Sequence, residues 1–320
     1  MPDKYRVAAF DIGTNTALCL VLESQSEASA KVIADRHAIA RLGEGVDKTH
    51  IISDAAYDRF VKVIKEHLLA LSTLSVNEIA AVGTSALRDA QNRGNILYRA
   101  KHDLGIDIQI ISGSKEAELT YRGALAGMKM SEEKVAVLDV GGGSTEIAIG
   151  ANGLFLQGQS IDVGAVRMTE RYFGKPAPHD VTSARQDIRE AIIENVKEPL
   201  RGIPFVAVAG TPTSLAAMEL GLKVFDAALV QGHVLRKDAV NRFVDEMAVT
   251  SIEEMMRRYP VILKGRADIL LAGSLILLET MEIFGIEFVT VSTRGLRYGI
   301  AIDALERHVE LAPRSWEIIV

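Results

Sequence analysis

Two short stretches of the chain repeat one chemically loaded pattern. Asp11-Ile12-Gly13-Thr14-Asn15-Thr16 and Asp139-Val140-Gly141-Gly142-Gly143-Ser144-Thr145-Glu146 each set a carboxylate two residues before a glycine, followed by small polar side chains. Exposed backbone N–H groups in such a turn cradle phosphate oxygens, and the carboxylate holds a magnesium ion directly or through water. Gly13, Thr14, Asn15 and Thr16 are therefore candidate phosphate contacts in the first stretch, and Gly141, Gly142, Gly143 and Ser144 in the second. Asp11, Asp139 and Glu146 are candidate metal ligands, with solvated strand residue as the other reading of Glu146. A single glycine turn is more simply a tight hairpin tip. Repetition with the aspartate kept at the same offset reverses that preference, because turn geometry does not require a carboxylate there. The donor set suits Mg²⁺ better than Zn²⁺: carboxylates without a visible His/Cys cluster, and Cys19 as the only cysteine.

Each loaded turn needs two strands to present it. AAFDIGTNTALCLV and AVLDVGGGSTEIAI both read as strand, small polar tip and strand, with Asp11 and Asp139 separated by 128 residues. This is an internal duplication, a fold-level signal. A strand over 31–39 is followed by the 3.6-residue apolar spacing of a helix over 53–71, a strand at 79–82, a helix over 92–104 and a strand near 107–111. A helix over 114–128 places Glu116 in its first turn. The second half reads as strands at 157–161, 205–209 and 288–292 and helices at 165–172, 184–200, 215–220, 237–248, 252–257 and 266–284, with a terminal helix from Gly295 onward. Lys129–Lys134 is the one short linker expected.

With 320 residues, 48% hydrophobic and 24% charged, the chain suits two domains and excludes disordered, collagenous and disulfide-scaffold classes. A net charge of −6, from 36 basic and 42 acidic residues, supplies no global field for nucleic acid or an anionic membrane. Any polyanion must be held by a local site. The N-terminus does not read as a signal peptide, and the apolar run near Ile269–Leu278 is interrupted by Glu279 and Glu282. A cytoplasmic protein is expected.

The two turns resemble those of the superfamily containing actin, the heat-shock chaperone ATPases and the sugar and acetate kinases. Seven ordered motifs narrow the match: DIGTNT at 11–16, GTSALRDAQN at 83–92, ISGSKEAEL at 111–119, LDVGGGSTE at 138–146, AGTPTSLAA at 209–217, GRAD at 265–268 and STRGLRYGI at 292–300. Together they look like the exopolyphosphatase / guanosine pentaphosphate phosphatase family, in its short two-domain form. The resemblance implies an α/β fold of two duplicated actin-like (ribonuclease H-like) domains enclosing a cleft, here over 1–120 and 121–299, with a terminal helix of about 300–320 returning to the first.

It also implies Mg²⁺-assisted attack of water on a terminal phosphoanhydride, with inorganic polyphosphate or guanosine penta- and tetraphosphate as partners. Glu116 aligns with the family's catalytic glutamate and is the candidate base; complementing a helix dipole is its other reading. Arg88, in the position of a family arginine on the phosphate chain, is a further candidate phosphate contact, with a surface helix arginine as its other reading. Arg93 is balanced between that role and a surface arginine. Arg294 and Arg297 are expected in structural ion pairs. The chain departs from the pattern at Lys115, Gln231, His233 and Tyr298. A homodimer is left open. The expected activity is exopolyphosphatase, with a pppGpp 5′-phosphohydrolase or a (p)ppGpp-binding module of little turnover as alternatives.

Overall fold

The computed structural model describes residues 4–26, 28–128, 134–174, 180–310 and 314–320. Twelve strands form two six-stranded sheets among these residues. The first sheet contains β1 (Arg6–Ile12), β2 (Thr16–Ser26), β3 (Ser29–Ile39), β4 (Glu78–Gly83), β5 (Ile108–Ile110) and β12 (Glu317–Ile319), in the order β12-β3-β2-β1-β4-β5. The second contains β6 (Lys134–Val140), β7 (Thr145–Ala151), β8 (Leu154–Ile161), β9 (Phe205–Val208), β10 (Val234–Arg236) and β11 (Phe288–Val291), in the order β10-β11-β9-β6-β7-β8. In both, a hairpin adjoins a strand that lies parallel to its first member: β4 beside β1, β9 beside β6. The sequence duplication is thus a duplication of topology.

The chain divides into two units, described separately. Unit 1 comprises Met1–Glu133, Gly150–Gln157 and Arg294–Val320. Its helices are α1 (Val46–Thr49), α2 (Asp54–Leu71), α3 (Ser85–Asp89), α4 (Arg93–Leu104), α5 (Gly113–Leu125) and α13 (Leu296–His308). Successive strand side chains point to opposite faces, so each strand serves two cores. Ala8, Phe10 and Ile12 of β1 join Ala17, Cys19 and Val21 of β2 in a cluster with Tyr57, Phe60 and Ile64 of α2 and Ile96 of α4. Val7 and Ala9 join Leu20 and Leu22 in the other, with Leu119 of α5, Ile300 and Leu305 of α13, and Trp316. Two glycines let α5 and α13 touch backbone to backbone: a Cβ on Gly123 would lie 2.1 Å from the Gly295 oxygen, and one on Gly299 1.9 Å from that of Leu119.

Unit 2 comprises Lys134–Ile149 and Gly158–Thr293. Its helices are α6 (Ala165–Met168), continued by a π-helical turn over Thr169–Phe173, then α7 (Val181–Asn195), α8 (Gly210–Glu219), α9 (Ala227–Val230), α10 (Lys237–Val249), α11 (Ile252–Arg258) and α12 (Leu270–Phe284). One core gathers Ala136, Leu138 and Val140 of β6 with Ile188 of α7 and Leu275, Ile276 and Leu278 of α12. The apolar run at 269–278 is this buried helix, and no described helix is long and apolar enough to cross a membrane.

Three sequence expectations need correction. The terminal segment is not helical to its end: α13 stops at His308, and Glu317–Ile319 pairs in parallel with Ser29–Lys31. Trp316 and Ile318 are buried while Glu317 and Ile319 are exposed, a period of two that fits a strand. Helix α8 begins at Gly210 rather than Leu215, with Pro212 in its first turn, where a missing N–H breaks no intrahelical bond. Helix α12 begins at Leu270, not 266. Of the expected linker, residues 129–133 lie outside the described residues and Lys134 opens β6.

Candidate active site

In unit 1 the first loaded turn closes the β1–β2 hairpin, where Asp11 pairs with Leu18 and the Gly13 N–H donates to the Thr16 carbonyl at 2.9 Å. The segment after β3 holds the tip from one side. Ala40 and Arg41 N–H groups donate to the Asn15 carbonyl at 3.0 and 2.9 Å, and the Gly43 N–H donates to that of Thr14 at 2.9 Å. Arg41 adopts φ 48° to make this approach. Gly43 must lack a side chain, since its Cβ would sit 2.3 Å from Thr14 Cγ2. With their carbonyls engaged, Thr14 and Asn15 have N–H groups that bond to no described residue. Such a tip presents donors to an anion.

Glu116 enters from α5. Ser112 caps that helix by accepting from the Lys115 N–H at 3.2 Å, and its carbonyl accepts from the Glu116 N–H at 2.9 Å. Glu116 is 6% exposed, and its carboxylate Oε2 accepts from Arg88 Nη1 at 2.5 Å. The same Nη1 reaches the Ile111 carbonyl at 3.3 Å. Burial pushes the proton affinity of Glu116 up, opposed by the Arg88 charge and hydrogen bond and by a hydrogen bond from the Thr84 side chain. Thr84 is the N-cap residue of α3, whose last turn carries Arg88. Burial, with a contribution from the Glu116 charge, raises Asp11 to about 7, while Arg297 pulls the other way. Arg93 is exposed and donates to the Arg88 carbonyl at 3.0 Å.

In unit 2 the second loaded turn is held differently. Gly141 N–H donates to the Ser144 carbonyl at 3.0 Å, repeating the bond of the first tip. Its carbonyls, however, meet the start of α6: Ala165 N–H donates to Gly141 at 2.9 Å and Val166 N–H to Gly142 at 2.8 Å. Arg167 Nε donates to the Gly143 carbonyl at 2.7 Å. A Cβ on Gly164 would lie 2.4 Å from the Gly142 oxygen, so backbone must approach backbone there. The N–H groups of Gly142 and Gly143 bond to no described residue. Asp139 is 9% exposed, at the end of β6 opposite Val208. Glu146 is 2% exposed, so it is not a solvated strand residue, and its Oε1 accepts from the Ser144 and Ser160 hydroxyls at 2.7 and 2.6 Å.

Arg167, Gly43 and Gly164 brace the two tips and lie in none of the motifs, and Thr84 lies in the motif at 83–92 without a role assigned there. Their roles depend on which carbonyl or carboxylate the fold brings to them. The departures from the family pattern have local partners: Lys115 pairs with Glu118 at 2.9 Å, the Tyr298 hydroxyl donates to Asp35 at 3.2 Å, and His233 pairs with Glu219 at 2.7 Å. Gln231 accepts from the Thr293 N–H and hydroxyl, both at 2.8 Å. Arg297 forms the expected ion pair, forking onto Asp35 at 2.8 and 2.9 Å, whereas Arg294 donates to the Ala126 carbonyl at 2.5 Å. The turn into α8 carries Ala209 at φ 76°, ψ −169°, a region used almost only by glycine. Arg266 Nη1 reaches the Gly210 carbonyl and the Ser214 hydroxyl there, at 3.2 and 3.1 Å.

Among the described residues no group of three or more His, Cys, Asp or Glu side chains stands ready as a complete metal cage. The individual donors nonetheless fit Mg²⁺, which prefers one or two carboxylates completed by water and phosphate oxygens. Asp11 in particular is a carboxyl group whose charge is disfavoured by burial and by Glu116, and a nearby dication would relieve both.

Comparison with known proteins agrees with this chemistry. The profile of the Ppx/GppA phosphatase family matches residues 20–308. Exopolyphosphatase 2 of Mycobacterium tuberculosis is 31% identical over 320 residues, covering 93% of this chain and 98% of its own length. Among solved structures, an exopolyphosphatase-like protein aligns with TM-score 0.90 at 27% identity, covering 96% of this chain and 99% of that one. The Ppx/GppA family member of Aquifex aeolicus aligns with TM-score 0.79 at 29% identity, covering 95% and 99%. The two-sheet α/β fold is the actin-like fold of these structures. The chain belongs to the Ppx/GppA phosphatase family and is a phosphoanhydride hydrolase.

Proposed function

We propose that the protein is an exopolyphosphatase that releases terminal orthophosphate from inorganic polyphosphate. The observation that carries this reading is Glu116: a buried carboxylate of raised proton affinity, in contact with the guanidinium of Arg88 and in the same unit as Asp11. A phosphoanhydride already has a good leaving group, so catalysis requires positioned phosphates, neutralised oxygens and an oriented water. Backbone N–H groups at Thr14, Asn15, Gly142 and Gly143 and the Arg88 guanidinium are assigned to phosphate oxygens. Asp11, Asp139 and Glu146 are assigned to Mg²⁺, which when bound neutralises phosphate charge; Arg93 is a peripheral phosphate contact. Glu116 takes a proton from the attacking water as the water oxygen bonds to the terminal phosphorus. The bridging P–O bond breaks, and its electron pair leaves with the shortened chain.

The 5′ chain of pppGpp ends in the same anhydride and is the second candidate substrate; the protein is placed in the cytoplasm, where both compounds would be met. Phosphate release from polyphosphate, pppGpp and ATP, with and without Mg²⁺, tests the assignment. Fastest release from polyphosphate, lost on chelation, is expected. A marked preference for pppGpp would transfer the assignment to the nucleotide, and binding of both without turnover would make the protein a binding module.

A further inference from the structure

Resting on the reading of Glu116 as the base, the geometry points to a regulation of that base by its own substrate. The Arg88 side chain is 19% exposed and that of Glu116 is 8% exposed, so their 2.5 Å contact is turned inward. The nitrogen that makes it also leans on the Ile111 carbonyl, which fixes the fork in that orientation. Arg88 is thus committed to the residue that must take a proton, although a guanidinium is also the best protein partner for a phosphate. Pairing to arginine lowers the basicity of a buried carboxylate, and the same carboxylate without its partner is a stronger base.

We propose that the terminal phosphate competes with Glu116 for Arg88, so that the base is masked in the free protein and gains basicity only when substrate occupies the site. Unproductive capture of protons without substrate is thereby limited. Linkage makes the idea testable, because two events that oppose one another do so reciprocally. If bound phosphate loosens the Arg88–Glu116 pair, removing the charge of Glu116 must tighten phosphate binding.

The experiment is calorimetric titration with a methylene-bridged tripolyphosphate at fixed Mg²⁺, comparing the wild type with Glu116→Gln, Arg88→Gln and the double variant. Glu116→Gln should bind about tenfold more tightly than wild type, the equivalent of one charge-assisted hydrogen bond. That gain should be much smaller in the Arg88→Gln background. Equal tightening in both backgrounds would reduce the effect to simple charge repulsion and overturn the proposal, as would unchanged or weaker binding by Glu116→Gln. Glu116→Ala supplies the same comparison if glutamine packs badly. Phosphate release from polyphosphate on the same preparations separates the two claims: retained turnover in Glu116→Gln removes Glu116 as the base. Lost turnover with unchanged affinity leaves the base in place and removes the competition.

Discussion

The two Asp-x-Gly tips share a backbone plan and differ in what braces it. In unit 1 the tip is braced by a loop, residues 40–43, that meets a side-chain methyl at Thr14; in unit 2 it is braced by the start of α6, through contacts of backbone with backbone at Gly164. The carboxylates differ in the same sense. Asp11 is raised to about 7 by burial and by a neighbouring carboxylate, whereas Glu146 has two hydroxyls donating to one oxygen. Duplication supplied the same pair of tip N–H groups twice, and the two tips differ in what braces them.

The largest consequence concerns bracing. Gly164→Ala sets a methyl group against the Gly142 and Gly143 backbone, which has no rotamer to change, and should lower stability by about 3 kcal/mol, read by denaturant unfolding. Gly43→Ala meets side chains rather than backbone, the Thr14 methyl, which can turn aside, and the Ala86 methyl at 3.0 Å, and should cost less, about 1 to 2 kcal/mol. Equal losses would erase the distinction between the two tips.

Asp11 gives the next effect. Its folded proton affinity, about 7, lies above its ordinary value of 3.8, so the folded chain retains a proton that the unfolded chain releases between these pH values. Stability is therefore lost as pH rises through that window, and the penalty is complete above it. Asp11→Asn removes the penalty. In chelator-treated protein it should match wild type near pH 4 and exceed it by a few kcal/mol at pH 8. Added Mg²⁺ should stabilise the wild type and leave the variant unchanged; a pH-independent difference would contradict the raised proton affinity of Asp11.

The smallest effect tests the satisfied side. Ser160→Ala removes one of the two hydroxyls on Glu146 Oε1 and should destabilise by about 1 kcal/mol, with little change in KM for polyphosphate. A large rise in KM would show that the hold of Glu146 on Mg²⁺ depends on this one hydroxyl.

Much of this was legible in the sequence because the signals were local. Strand–tip–strand patterning located both hairpins, and the 3.6-residue apolar period located α2 and α5, with Glu116 in the first turn of the latter. What escaped depended on distant partners. Glu317–Ile319 became a strand because β3 offered an edge and Trp316 found a buried place, its indole N–H donating to Glu306 at 2.8 Å; no periodic run announced it. The Arg88–Glu116 pair spans 28 residues, and motif spacing marked each residue without marking their contact. Thr84 lies within the motif at 83–92, but its role did not show there, since a hydroxyl's role follows from the carboxylate brought beside it.

The central claim is that Glu116 activates the attacking water. The most direct measurement is the steady-state rate of orthophosphate release from polyphosphate at saturating Mg²⁺ by wild type and Glu116→Gln, with unfolding temperatures compared to confirm an intact fold. A fall in kcat of about 10²- to 10⁴-fold with the fold preserved is the predicted result. A kcat within a few fold of wild type would contradict it.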